Sequence, residues 1–163
     1  MKRQAHIRSG ILWALVAAWA VVIFLFSAQD ADSSTALSDK VTAILLKILG
    51  IDSPTLSPSP DGIGWLPSVR TMAHFASFGI FGFLTALAIR SHRLVAWKDW
   101  LFPAAISLFY AIFDEIHQAF VPGRSTELKD VIVDFSGAIL GIATVALVYL
   151  IIRRRHKKRT AES

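Results

Sequence analysis

The sequence predicts an all-α, polytopic membrane protein: a bundle of four transmembrane helices with an outer amphipathic helix between spans one and two. The first observation is composition, since 54% of the 163 residues are hydrophobic and only 18% are charged. Soluble domains average about 45–50% apolar and about 25% charged residues. The second is that four apolar segments each reach the roughly 20 residues needed to cross a hydrocarbon core of about 30 Å. The third is the placement of the basic residues.

The predicted spans cover approximately residues 9–29, 71–90, 101–120 and 130–152, within a single domain of residues 1–163. Span one follows a basic start, as in a secretory signal peptide. However, "LFSAQD" places the bulky Phe26 where a signal peptidase needs a small residue. We therefore expect this segment to remain as a transmembrane helix.

Basic residues identify the cytoplasmic side. Twelve of the 17 lysines and arginines lie in the N-terminus, at Arg90 and in the loop that follows it, and in the tail 153–163. The positive-inside rule then predicts that both termini are cytoplasmic and that segment 30–70 is outside. The tail "RRRHKKR" also resembles a nucleic-acid patch. Directly after an apolar span it is more typical of a topology anchor, and we expect no nucleic-acid partner.

The outer segment begins with "SSTALSDKVTAILLKILG", which predicts an amphipathic helix. Its apolar residues fall on one face, Ser33 or Ser34 can cap its start, and Gly50 can end it. This helix could lie in the outer membrane interface or pack over the mouth of the bundle. The weakly basic polar face favours packing over the bundle. A loop rich in proline and glycine follows, up to the second span.

Ionisable residues within the spans all fall near their predicted outer ends. Such groups are costly in lipid, about 2.5–3.5 kcal/mol at the bilayer centre, and are functional candidates by default. We expect them to face inward and to be paired. Salt bridges that only fix helix register are the structural alternative. Asp114 and Glu115 point about 100° apart, so which one faces inward is open. The candidate ligand-binding residues are Arg70, His74, Asp114, Glu115, His117, Gln118, Arg124, Asp130 and Asp134.

A stripe of span four combines an acid with small residues. Asp134, Gly137 and Gly141 share one helix face, and "GAILG" is a GxxxG pattern that permits close approach of another helix. This pattern predicts that the stripe faces the bundle, and it also allows a homo-oligomer through Gly137 and Gly141.

Three stretches resemble the VanZ-like membrane proteins, named for a teicoplanin-resistance factor of bacteria. "DEIHQAFVPGRSTELKDVIVDFSGAILG" is close to the family signature, "FSAQDADSS" is similar to its FS-x-Q stretch, and "HFASFGIFGF" is similar to its H-F-x-x-Y/F motif. Thr71 stands where the family often has a lysine, and Arg70 is the nearest basic residue. The resemblance implies a bacterial inner-membrane protein linked to glycopeptide resistance or envelope homeostasis. It implies no mechanism.

Three functions are compatible with these residues. The favoured one is a non-catalytic envelope factor that binds a polar or anionic head group of a membrane lipid, of a lipid-linked envelope precursor or of a glycopeptide. The second is a membrane-embedded hydrolase or transferase with Glu115 or Asp114 as base, His74 or His117 as acid and Arg124 as anion stabiliser. The third is a small transporter or proton relay. We predict no cofactor and no metal, although a site built from His74, His117 and a carboxylate is a variant of the second function.

Overall fold

The computed structural model describes residues 2–48, 68–92 and 97–161, and within these ranges the secondary structure is all-helical. The predicted loop at 51–67 and the predicted helix end at Gly50 lie outside the described residues. In chain order the helices are α1 (Lys2–Ser27), α2 (Ala31–Ile48), α3 (Val69–Ser91), α4 (Lys98–Gln118) and α5 (Leu128–Ala161).

Three of the described helices are long and apolar enough to cross a membrane. They contain the stretches His6–Ser27, Val69–Ser91 and Leu128–Arg155. The α4 helix is of similar length, but it carries Asp99, Asp114 and Glu115. Its composition is therefore less apolar, and it is not one of these three candidate spans. The chain therefore has the character of a membrane protein, as the sequence predicts.

The α3 and α5 helices pack so closely that their backbones touch. Gly137 lies against the backbone of Phe75, and Gly141 lies against the backbones of Gly79 and Phe83. A Cβ atom at either glycine would overlap these atoms. Because residue numbers rise together along the two helices, α3 and α5 run parallel.

The predicted close approach through the GxxxG pattern is thus made within the chain. The α3 helix already occupies the face that carries Gly137 and Gly141. A homo-oligomer contact through these glycines would have to displace it.

The α4 helix runs antiparallel to α3. Arg70, at the start of α3, contacts Gln118 at the end of α4. At the opposite end Arg90 lies 3.7 Å from Asp99, and its guanidinium lies over the Tyr149 ring of α5. Asp99, which stands two residues before the predicted third span, is part of α4 because this helix begins at Lys98.

The α1 helix is attached to this core by two hydrogen bonds to main-chain carbonyls. The Trp19 indole N–H donates to the carbonyl of Ser77 at 2.9 Å, and the Tyr110 hydroxyl donates to that of Ala20 at 2.6 Å. Together with the buried Phe78, these contacts fix where the end of α1 meets α3 and α4.

A short turn leads from α1 into α2. The Asp30 carboxylate accepts the backbone N–H of Ser33 at 2.7 Å, and this hydrogen bond lowers the pKa of Asp30. Asp30 therefore caps α2, in place of the predicted Ser33 or Ser34. Leu37, Val41 and other apolar residues of α2 remain substantially exposed.

Candidate functional site

Polar side chains are buried at the end of the bundle where α1 and α4 finish and where α3 and α5 begin. Ser27, Asp114 and Gln118 are each 1% exposed, and Asp134 is 2% exposed. They come from α1, α4 and α5, and Ser27 precedes Asp114 by 87 residues. Buried polar groups of this kind are stable only where hydrogen bonds or charges satisfy them.

A chain of hydrogen bonds links α1, α4 and α3 across this cluster. The Ser27 hydroxyl donates to Asp114 Oδ2 at 2.8 Å, and Gln118 Nε2 donates to the same oxygen at 3.0 Å. Arg70 Nη2 in turn donates to Gln118 Oε1 at 3.3 Å. Asp114 is therefore the acid that faces the bundle interior, which the sequence left open.

His74 and Asp134 form the second part of the cluster. His74 Nδ1 lies 3.3 Å from Asp134 Oδ1 and 3.5 Å from Oδ2. A fifth of the His74 side chain is exposed, so the imidazole contacts both the buried acid and the space outside the cluster. His74, Asp114 and Asp134 can each offer a donor atom such that all three lie within 4.8 Å of one another.

Glu115 lies apart from this group and serves the connection between α4 and α5. Its carboxylate accepts the backbone N–H of Glu127, directly before α5 begins. A buried acceptor for an otherwise free amide at a helix start is a structural role. In this geometry Glu115 does not meet His74, the acid partner of the predicted hydrolase.

His117 is also directed elsewhere. Its ring stacks on Phe24 of α1, with 4.3 Å between centroids. Among the described residues, the group of potential metal ligands contains His74 with Asp114 and Asp134 and does not include His117. The predicted metal variant that pairs the two histidines is therefore not assembled.

Arg124 is held by the tight turn after α4. Gly123 takes a left-handed conformation with φ of 75°, which glycine adopts without strain. Arg124 Nε donates to the carbonyl of Gln29 at 3.2 Å, while Nη1 is buried with no hydrogen-bond partner among the described residues. Burial lowers the pKa of Arg124, although arginine remains charged. One donor group of this guanidinium is therefore unsatisfied among the described residues.

Two cavities meet at the cluster. A polar cavity of about 200 Å³ lies between α3 and the start of α5, and its lining includes Arg70, His74, Asp130 and Asp134. A mainly apolar cavity of about 270 Å³ lies between α1, α2 and α3. Most of the surface that it exposes is apolar, although its lining also contains four serines and Gln29, with Arg70, His74 and Arg124 as its charged or titratable members. Arg70 and His74 thus line both cavities.

A comparison with protein families identifies the family of this chain. A protein-family model described as VanZ/LLP1 matches residues 12–153. The chain belongs to the VanZ-like family. Comparisons with curated proteins and with solved structures gave no match.

The match confirms the resemblance predicted from the three sequence stretches. It includes all nine candidate residues, from Arg70 to Asp134. In this VanZ-like chain those residues do not form one group. Arg70, His74, Asp114, Gln118 and Asp134 are brought together, Arg124 and Asp130 line the adjoining cavities, and Glu115 and His117 make separate contacts.

Sequence reasoning missed Ser27. This serine is fully buried and donates directly to the interior acid Asp114. The signal was present, because Ser27 belongs to the "FSAQD" stretch that carries part of the family likeness. Gln29 of the same stretch supplies the carbonyl that holds Arg124.

Proposed function

We propose that this VanZ-like protein is a non-catalytic factor of the bacterial cell envelope. It binds an amphiphile, a membrane lipid or lipid-linked envelope precursor, by its anionic head group and its apolar tail. The observation that carries this proposal is that Arg70 and His74 line both a polar and a mainly apolar cavity. A molecule with one charged end and one apolar end matches that pair of surfaces.

The membrane arrangement behind this proposal has four spans, with α4 as the third to cross. A helix of 21 residues is about 31 Å long, which matches the hydrocarbon core. Because α3 and α5 are parallel neighbours, the chain between them has to return along the full length of the bundle. The antiparallel α4 supplies that return, with its acids Asp99, Asp114 and Glu115 buried against protein.

The positive-inside rule then puts the polar cluster at the outer face of the cytoplasmic membrane, with both termini in the cytoplasm. In this orientation α2 is the outer amphipathic helix. Its residues Ser34, Leu37, Ser38 and Val41 contribute to the wall of the apolar cavity. The helix therefore acts as a cover for an acyl or prenyl chain that enters from the outer leaflet.

Two arginines supply the head-group contacts. Arg124 has a buried Nη1 donor without a partner among the described residues, and Arg70 is only partly used by Gln118. A guanidinium suits phosphate or carboxylate because it can donate two parallel hydrogen bonds. Burial beside the apolar cavity strengthens such contacts relative to those in water.

A binding measurement tests this function. The protein in detergent is titrated with a fluorescent short-chain phosphatidylglycerol, a polyprenyl pyrophosphate and teicoplanin, with phosphatidylcholine as the neutral comparison. We expect saturable binding of an anionic amphiphile. Arg124→Gln should weaken it about 10- to 100-fold, because a charge-assisted hydrogen bond contributes about 1.5–3 kcal/mol.

The matched control is Arg153→Gln, which removes an equal charge from an exposed position in the tail. It should leave the affinity unchanged. Equal losses in both variants would indicate nonspecific charge attraction. Absence of saturable binding of all three anionic or glycopeptide probes would overturn the proposal, and binding of teicoplanin alone would replace the lipid with the glycopeptide.

One observation favours a second candidate, a hydrolase or transferase that acts on the same head group. The His74–Asp134 pair borders the polar cavity, and an acid that orients an imidazole is a common general-base arrangement. Release of phosphate or of a head group from the bound amphiphile, abolished by His74→Gln, would support catalysis over binding.

A further inference from the structure

We infer that His74, Asp114 and Asp134 form a binding site for a divalent transition-metal ion of the Zn²⁺ or Mn²⁺ class. This departs from the sequence-based expectation that the protein has no metal. It goes beyond the proposed function and does not depend on it, because metal binding is measured without lipid.

Charge balance is the first argument. Asp114 and Asp134 are almost fully buried, and buried charges in proteins are paired or coordinate metals. Among the described ion pairs, only His74–Asp134 involves either acid. Arg70 donates to the neutral Gln118 instead. Within ion-pair distance the two buried carboxylates thus share one imidazole, while the Arg124 guanidinium acts on Asp114 from farther away. A divalent cation between the acids would balance the remaining charge.

Unused lone pairs are the second argument. Asp114 Oδ2 accepts from Ser27 and Gln118, whereas Asp114 Oδ1 is buried with no hydrogen-bond partner among the described residues. Asp134 Oδ1 is in the same condition, although it lies 3.3 Å from the imidazole nitrogen. Buried oxygens of this kind are costly unless something is bound to them.

The distances fit a common ion. Zn²⁺ binds imidazole nitrogen and carboxylate oxygen at about 2.0–2.2 Å, so two ligands of a tetrahedral site are about 3.3–3.5 Å apart. The separation of 3.3 Å between His74 Nδ1 and Asp134 Oδ1 meets this value. All three donors lie within 4.8 Å of one another, so an Asp114 displacement of up to about 1.3 Å brings its oxygen to the separation of metal ligands.

The donor set also leaves a position free. One imidazole and two carboxylates suit Zn²⁺ or Mn²⁺, and three protein ligands are typical of sites that keep an open coordination position. His74 and Asp134 line the polar cavity, so that position is reached from there. Ser27 and Gln118 hold Asp114 from behind, as outer partners of metal ligands do.

The test is metal retention by the full chain, purified in detergent with a histidine-free tag. The protein is stripped with EDTA, equilibrated with Zn²⁺ or Mn²⁺, desalted and analysed by inductively coupled plasma mass spectrometry. We expect one ion per chain, and calorimetric titration gives the affinity. Gln118→Ala should weaken binding about 10- to 100-fold, the usual effect of losing an outer partner. His74→Gln and Asp134→Asn should weaken it further.

The control Asp39→Asn removes a carboxylate from the exposed polar side of α2 and should retain the ion. Gel filtration checks that each variant is folded, and Gln118→Ala provides the milder variant if the ligand variants are not. Two results would overturn the inference. One is the absence of saturable metal uptake by the wild type, which is expected if a proton satisfies the two acids. The other is metal uptake by His74→Gln and Asp134→Asn that equals uptake by the wild type. Head-group binding repeated in EDTA separates this outcome from that of the proposed function.

Discussion

At the residue scale, Asp114 depends on its two donors. A buried carboxylate keeps its geometry through the hydrogen bonds made to it, and here Ser27 and Gln118 both bond to one oxygen. Ser27 comes from another helix, so the same contact also fixes α1 against α4. This single hydroxyl therefore affects both the stability of the fold and the position of the site.

Ser27→Ala should lower the free energy of unfolding in detergent by about 1–3 kcal/mol, because the substitution leaves a buried acceptor short of a donor. Thermal or denaturant unfolding followed by circular dichroism measures this change.

Ser136→Ala is the control for Ser27→Ala. Ser136 is also helical and its hydroxyl donates to a carbonyl of its own helix, but it is exposed. We expect Ser136→Ala to leave the free energy of unfolding almost unchanged. If the two variants had equal stability, Ser27 would not hold the interior acid.

At the element scale, the pairing of α3 with α5 positions His74 against Asp134. The two helices touch through glycines, with Gly79 and Gly82 of α3 facing Gly137 and Ala138 of α5. Small residues let helix backbones approach closely in a membrane, where packing rather than the hydrophobic effect drives association. The polar cluster is therefore supported by a rigid, close-packed pair.

Gly141→Ala should destabilise the protein by about 1–3 kcal/mol, since its Cβ would overlap the backbone of α3 and the two helices would have to separate. The same substitution at Gly10 has open space around the new Cβ. Gly10→Ala should leave stability unchanged or raise it by up to about 1 kcal/mol, because alanine is the better helix former. Unfolding curves of the two variants, collected in the same detergent, make the comparison. Equal destabilisation would contradict the close packing of α3 and α5.

At the scale of the whole molecule, the proposed topology rests on the relative directions of the helices as well as on their hydropathy. The parallel pair α3 and α5 needs a returning segment, and the polar ends of α4 are matched by Arg70 at one end and Arg90 at the other. An apolar test alone does not find α4, because its three acids lower the average while contacts with protein bury them.

The chain contains no cysteine, so single-cysteine variants report topology directly. With four spans, an impermeant maleimide should label Thr126→Cys from outside intact cells. Gln4→Cys and Arg153→Cys should react only after permeabilisation. Labelling of Arg153→Cys from outside while Gln4→Cys stays protected would exclude the proposed crossing by α4. Labelling of both terminal cysteines would instead reverse the proposed orientation.

The sequence by itself determined the helical class, the membrane character, the family and the region of the polar cluster. Each of these depends on composition, on local periodicity or on a contiguous motif. The sequence also determined that the GxxxG stripe lies on the same helix face as Asp134, because the spacing of residues within one helix depends on that helix alone.

Only the tertiary structure decided what each face meets. In it Asp114 faces inward, and Glu115 faces the start of α5. The glycine stripe packs against α3, and the His117 ring stacks on Phe24. Periodicity relates the residues of one helix to one another but carries no information on the rotation of that helix against its neighbours. That rotation depends on contacts such as Ser27 to Asp114, between residues far apart in the chain.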